Sequence, residues 1–138
     1  MNNILILGAG KSSPYLISYL IDNAIKNNWF VIVGDLDKAL AEKRIAGRSH
    51  AKAIFFDIND AELRTKYIQQ ADVVVNILAP RFQHIIAISC IQFGKHMISV
   101  SYRDKRIREM DNDARKKGVL ILAEIGLDPG IDHMSATE

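Results

Sequence analysis

Cysteine is nearly absent: Cys90 is the single one, so no disulfide can form within the chain. Its neighbours Ile88, Ser89 and Ile91 mark a small buried thiol rather than a nucleophile, and a reducing cytoplasm fits such sparse cysteine. Metal-ligand spacing is missing as well. The four histidines, His50, His84, His96 and His133, stand apart with no cysteine cluster beside them, which argues against a metal site. No apolar run approaches the roughly 20 residues of a membrane span, and no basic segment leading into a long apolar stretch opens the chain. Neither secretion nor membrane insertion is supported. An excess of charge is lacking too: 18 Lys and Arg against 16 Asp and Glu leave +2, too little to point to nucleic acid or an anionic membrane. The basic clusters Lys43-Arg44 and Arg115-Lys116-Lys117 read as solvated helix faces. Solenoid-length repeats, low-complexity segments and linkers are also missing.

What the sequence does have is globular composition, 138 residues with 49% hydrophobic and 25% charged content, enough for one real core. Apolar runs of strand length alternate with helix-length amphipathic segments. The runs are Ile4 to Leu7, Trp29 to Val33, Ala53 to Phe56, Val73 to Val75, Met97 to Val100 and Val119 to Leu122. Being nearly continuous, they suit parallel strands covered on both faces. Helices are expected where Leu16, Leu20 and Ala24 run beside Ile17, Ile21 and Ile25, and at about 37–45, 59–70, 82–93 and 103–117. Asn59 with Glu62 three residues on resembles a capping box. About six strands and five crossovers predict an α/β fold, a doubly wound parallel sheet in the order 3-2-1-4-5-6.

Gly8-Ala9-Gly10-Lys11-Ser12-Ser13 joins the first apolar run to the first helix, where the pyrophosphate of a dinucleotide sits in a Rossmann domain. Gly8 allows the tight turn, Gly10 lets the backbone approach the phosphates, and the N–H groups opening the helix face the negative charge. Ser13 stands where the third glycine is usual, and Pro14 suits the first helical turn. A P-loop is excluded, because Leu5 occupies the place of its first glycine.

Asp35 ends the second strand, 25 positions after Gly10, where a carboxylate accepts hydrogen bonds from the adenosine ribose diol. It argues for NAD, with NADP possible if Lys38, Lys43 or Arg44 offsets the repulsion of a 2′-phosphate. The competing reading is that Asp35 or Asp37 caps the next helix. Asp57 and Ile58 close the third strand at the adenine edge or form a turn, while Leu78 and Ala79 after the fourth strand line the middle of the cofactor or a Pro-terminated turn. Ser101 and Tyr102 follow the fifth strand on the same edge, as a polar substrate-side cluster or a helix cap. Tyr102 and Lys105 do not form the pair of short-chain dehydrogenases, which needs i to i+4 spacing; position 106 is Arg106.

The run from Ala123 through Gly126-Leu127-Asp128-Pro129-Gly130-Ile131-Asp132-His133 to Met134 closely resembles the signature of saccharopine dehydrogenases of the reductase type. Gly8-Ala9-Gly10, Ser13-Pro14 and Ser101-Tyr102 match the same family in the same order, so the resemblance covers the whole chain. It implies a Rossmann domain over 1–125, with 126–138 starting the connection to a substrate and dimerisation domain outside this chain. It also implies lysine metabolism: an oxidoreductase acting on an amino-acid substrate, a homodimer when full-length, with hydride moving between nicotinamide C4 and a carbon bearing a secondary amine or imine. On these implied roles Gly8, Ala9, Gly10 and Ser13 hold pyrophosphate, Leu78 and Ala79 face nicotinamide, and Ser101, Tyr102 and Asp128 face substrate. Asp132 and His133 start and pack a helix. Asp35 departs from the basic or neutral residue typical of the glutamate-forming NADP members. A different class, a noncatalytic dinucleotide-binding redox sensor, stays open beside the enzyme, as does an oxidoreductase of another substrate class.

Overall fold

Side chains alternate across each strand, and here both faces are apolar. Leu5, Leu7, Ile32, Val74 and Met97 point into one buried cluster, while Ile4, Ile6, Val31, Val33 and Val75 point into the other. A sheet with two apolar faces must be covered twice, which selects helical crossovers and parallel strands. The computed structural model, which describes residues 2–10, 14–78, 80–99 and 105–122, has this architecture. Its strands are β1 (Asn2–Leu7), β2 (Trp29–Asp35), β3 (Ala51–Phe55), β4 (Val73–Asn76), β5 (His96–Ser99) and β6 (Ile121–Leu122), in the order β3-β2-β1-β4-β5-β6. Every pairing is parallel, so the doubly wound α/β expectation holds.

The helices are α1 (Pro14–Asp22), α2 (Ala24–Asn27), α3 (Lys38–Ile45), α4 (Ala61–Gln70), α5 (Gln83–Phe93), α6 (Lys105–Glu109) and α7 (Asp111–Lys116), with a 3₁₀ turn at Pro80–Phe82. Three differ from the sequence expectation. The first helical pattern breaks at Asn23, so Ile17, Ile21 and Ala24 are buried while Ile25 turns outward, 67% exposed. The last pattern divides at Met110 into α6 and α7. The cap of α4 is Asp60, whose carboxylate accepts from the Leu63 N–H at 3.1 Å; the Asn59 N–H is instead held by Asp57. Asp57 and Asp60 thus divide the work that the Asn59/Glu62 spacing had suggested.

Register places the functional edge. Leu7 is paired with both Gly34 and Asn76, so Gly8, Asp35 and Ile77 arrive at one level at the carboxyl ends of the central strands. Gly34 has no room for a side chain, since a Cβ there would stand 2.9 Å from the Phe56 Cβ.

Cys90, on α5, is fully buried, and desolvation pushes its thiol up to about 12. Unfolded, a thiol ionises near about 8.5. The raised folded value contributes stability that is complete below about pH 8.5 and lost as pH rises toward about 12. Denaturant titrations across that range are expected to give wild type a steeper decline than Cys90→Ala, by up to about 1.4 kcal/mol per pH unit. Parallel declines would show that Cys90 ionises as freely in the folded protein as in the unfolded chain.

Candidate functional site

The turn after β1 is built for glycine at its first position. Gly8 has φ +113°, outside the range of L side chains, and an added Cβ would meet the Ile77 carbonyl carbon at 3.3 Å. Hydrogen bonds lock it to the sheet: the Gly8 N–H donates to the Gly34 carbonyl at 2.8 Å, and the Ile77 N–H donates to the Leu7 carbonyl at 2.8 Å. Gly10 is different. Among the described residues, an added Cβ there meets nothing within 4 Å. Ala9, between them, is fully buried.

Asp35 and Arg44 grip this turn from its two chemical sides. One Asp35 carboxylate oxygen accepts from the Ala9 N–H at 2.8 Å, and the other accepts from the Asp37 N–H at 2.8 Å. Asp37, not Asp35, is the N-cap of α3, accepting from the Leu40 N–H at 3.1 Å. Arg44 corrects its reading as part of a solvated helix face. Its Nε donates to the Ala9 carbonyl at 3.0 Å and its Nη2 to the Gly10 carbonyl at 3.4 Å. Helical side chains lean toward the N-terminus of their helix, so a long residue near the end of α3 reaches the sheet edge from which α3 departs. Sequence reasoning saw the cation but not that reach.

Beside the turn lies a cavity of about 270 Å³ between the ends of β2, β3 and β4, lined by Asp35, Leu36, Phe56, Asp57, Ile58 and Leu78 among others. Drug-sized ligands fill roughly 300–1,000 Å³, so this space suits one planar ring system. Ile58 contributes an apolar wall, buried to 6% exposure, and its carbonyl accepts from Arg64 Nη1. Asp57 is partly exposed, with one oxygen on the Asn59 N–H. At the mouth the Arg81 guanidinium stacks 4.5 Å from the centre of the Phe82 ring. A wider depression of about 590 Å³ follows α4, but all its walls come from that helix, away from the sheet edge.

The β4 end carries a buried polar group that sequence reasoning passed over. Asn76 and Ser99, paired in register, are both fully buried, and Gln83 is 1% exposed. Ser99 Oγ accepts from Asn76 Nδ2 at 3.2 Å and from Gln83 Nε2 at 3.0 Å. Asn76 Oδ1 then accepts the Leu78 N–H at 2.9 Å, so that N–H is spent within the protein, and Leu78 lines the cavity. The signal was three polar residues at positions the strand and helix pattern assigns to the interior.

Gly8, Ala9, Gly10, Asp35, Asp57, Ile58 and Leu78 therefore gather along one carboxyl edge. Lys11, Ser12, Ser13, Ala79, Ser101, Tyr102 and Asp128 lie outside the described residues, as does the 123–134 signature. Among the described residues no group of His, Cys, Asp and Glu could hold a metal ion, and no helix is long and apolar enough to cross a membrane.

Residues 4–122 match the saccharopine dehydrogenase NADP binding domain. The alpha-aminoadipic semialdehyde synthase of Arabidopsis thaliana is 34% identical over 98% of this chain and 14% of its own length. The NADP(+), L-glutamate-forming saccharopine dehydrogenase of Schizosaccharomyces pombe is 33% identical over 99% of this chain and 30% of its own length. This chain thus spans under a third of the curated relatives it matches. In structure, the apo L-Glu-forming saccharopine dehydrogenase of Saccharomyces cerevisiae superposes with a TM-score of 0.81 at 31% identity, over 99% of this chain and 30% of that one. The chain belongs to the saccharopine dehydrogenase NADP-binding domain family.

Proposed function

We propose that this chain binds the nicotinamide dinucleotide of a saccharopine-dehydrogenase-type oxidoreductase, preferring NAD and accepting NADP. The observation that carries it is the turn itself: Gly8 in a conformation that favours glycine, Gly10 with no described atom within 4 Å of where a Cβ would stand, and the Asp35 carboxylate anchored beside them. Gly8 and Gly10 would let pyrophosphate approach the backbone, joined by Lys11, Ser12 and Ser13. Asp35 would accept from the ribose diol, and its two backbone hydrogen bonds fix the direction of its carboxylate while leaving lone pairs for that purpose. Asp57, Ile58 and Leu78 would enclose the adenine side. A bound nicotinamide supplies the hydride acceptor or donor.

The remaining roles rest on the family. Ala79 would face the nicotinamide side, while Ser101, Tyr102 and Asp128 would orient a secondary-amine substrate of the saccharopine class. Residues beyond this chain would complete that site and a dimer. Calorimetry with NAD(H) and NADP(H), together with turnover of saccharopine by the full-length protein, tests this. Micromolar binding with turnover is expected, and this chain alone should bind cofactor without turning over, because positioning both reactants supplies much of the rate. Absence of binding to either cofactor refutes the reading; binding without turnover of any amino-acid substrate by the full-length protein leaves a redox sensor.

A further inference from the structure

The matched family is an NADP binding domain, whereas the dinucleotide reading puts the Asp35 carboxylate beside the position of a 2′-phosphate. Three cations near the second strand could offset it: Lys38, Lys43 and Arg44. Among the described residues, Arg44 alone of these three is hydrogen-bonded to the turn. Its Nε and Nη2 sit on the carbonyls of Ala9 and Gly10, while the N–H of the same Ala9 is held by Asp35, so guanidinium and carboxylate flank a single residue. With Asp35 facing the ribose diol, as in the dinucleotide reading, a cation fixed on the same backbone residue would stand beside the ribose 2′ position. A guanidinium carries five N–H donors in a planar fork. The two carbonyl contacts leave donors for a phosphate, and the partly buried setting screens the charge less than open water does.

We propose that Arg44 is a specificity-determining residue: it permits the 2′-phosphate of NADP to bind beside Asp35. This rests on the dinucleotide reading above. Asp35 and Arg44 then act in opposition, the carboxylate favouring a 2′-hydroxyl and the guanidinium a 2′-phosphate. Both cofactors bind, and the balance between them is set across one residue of backbone. A role confined to clamping the turn makes a different claim, because a loosened turn weakens both cofactors alike.

Fluorescence titration of the full-length protein with NADPH and NADH separates these. Arg44→Met is expected to weaken NADPH about tenfold or more and NADH by less than about threefold, with Arg44→Lys between, because it keeps the charge but loses the fork. Equal weakening of the two, no change in either, or a wild-type protein that binds NADH but not NADPH overturns the proposal. Should Arg44→Met fail to fold in a thermal melt, the NADPH to NADH ratio of Arg44→Lys carries the same comparison. Failure of the wild-type protein to bind either cofactor instead removes the dinucleotide reading on which this rests.

Discussion

Gly10→Val is expected to reduce NAD(H) and NADP(H) binding by more than about a hundredfold while the protein stays folded. The separation of the two effects follows from where the new atoms go. Among the described residues a Cβ at Gly10 meets nothing within 4 Å, and Gly10 is not among the positive-φ glycines, so a valine there is expected to cost the fold little. On the dinucleotide reading, the same atoms fill the space that a pyrophosphate would enter. Thermal stability should change by about 1 kcal/mol or less, typical of an exposed loop substitution. A melt paired with a binding titration decides it: normal affinity in a folded Gly10→Val protein would make the turn purely structural. Gly8 offers no such test, since its φ of +113° and the contact with Ile77 would make any substitution a folding defect.

Asp35→Ser is expected to reverse the cofactor preference. On the proposed reading, in which Asp35 holds the ribose diol, loss of these charge-assisted bonds would cost roughly 1.5–3 kcal/mol and weaken NAD about ten- to a hundredfold. Loss of the carboxylate also removes repulsion of a 2′-phosphate, worth about 3 kcal/mol for unit charges 5 Å apart at an effective dielectric of 20. Asp35 has a second task that the substitution disturbs. Its two oxygens hold the Ala9 and Asp37 N–H groups, and a serine hydroxyl is too short to hold both. Both cofactors therefore lose a common factor through the loosened turn, and the NAD to NADP affinity ratio is the informative quantity. A ratio unchanged by the substitution would remove Asp35 from cofactor selection and leave it as a brace for the turn.

The fold was legible because it depends on periodic features. Runs such as Ile4 to Leu7 and Val73 to Val75 announce buried strands, and their alternation with amphipathic segments leaves a doubly wound sheet as the simplest arrangement. Helix breaks were not legible. Nothing in Leu20 to Ile25 shows that Asn23 interrupts the helix, since the stripe continues through it; tertiary packing decides, and Ile25 is left exposed. At the site, residues fixed by the strand ends were readable: Gly8 and Asp35 follow from register. Long side chains were not. Arg44 acts 35 positions from Ala9, across a gap that pattern reading cannot measure, and it looks like any other helix-surface cation. The Asn76, Ser99 and Gln83 group joins three elements whose polar residues are each unremarkable locally and interpretable only once β4 and β5 are paired.

The strand order carries a consequence for how the chain is made. β1 precedes the other described strands in the chain yet sits inside the sheet, with Ile4 paired to Phe30's neighbour Val31 on one side and to Val73 on the other. At about 5–20 residues per second, a ribosome delivers the second partner several seconds after the first. During that interval β1, β2 and β3 can pair, but the far edge of β1 offers unsatisfied N–H and C=O groups flanked by isoleucine and leucine, which is the kind of template that recruits another nascent chain. The strand order thus leaves that edge of β1 without its partner until β4 has been made.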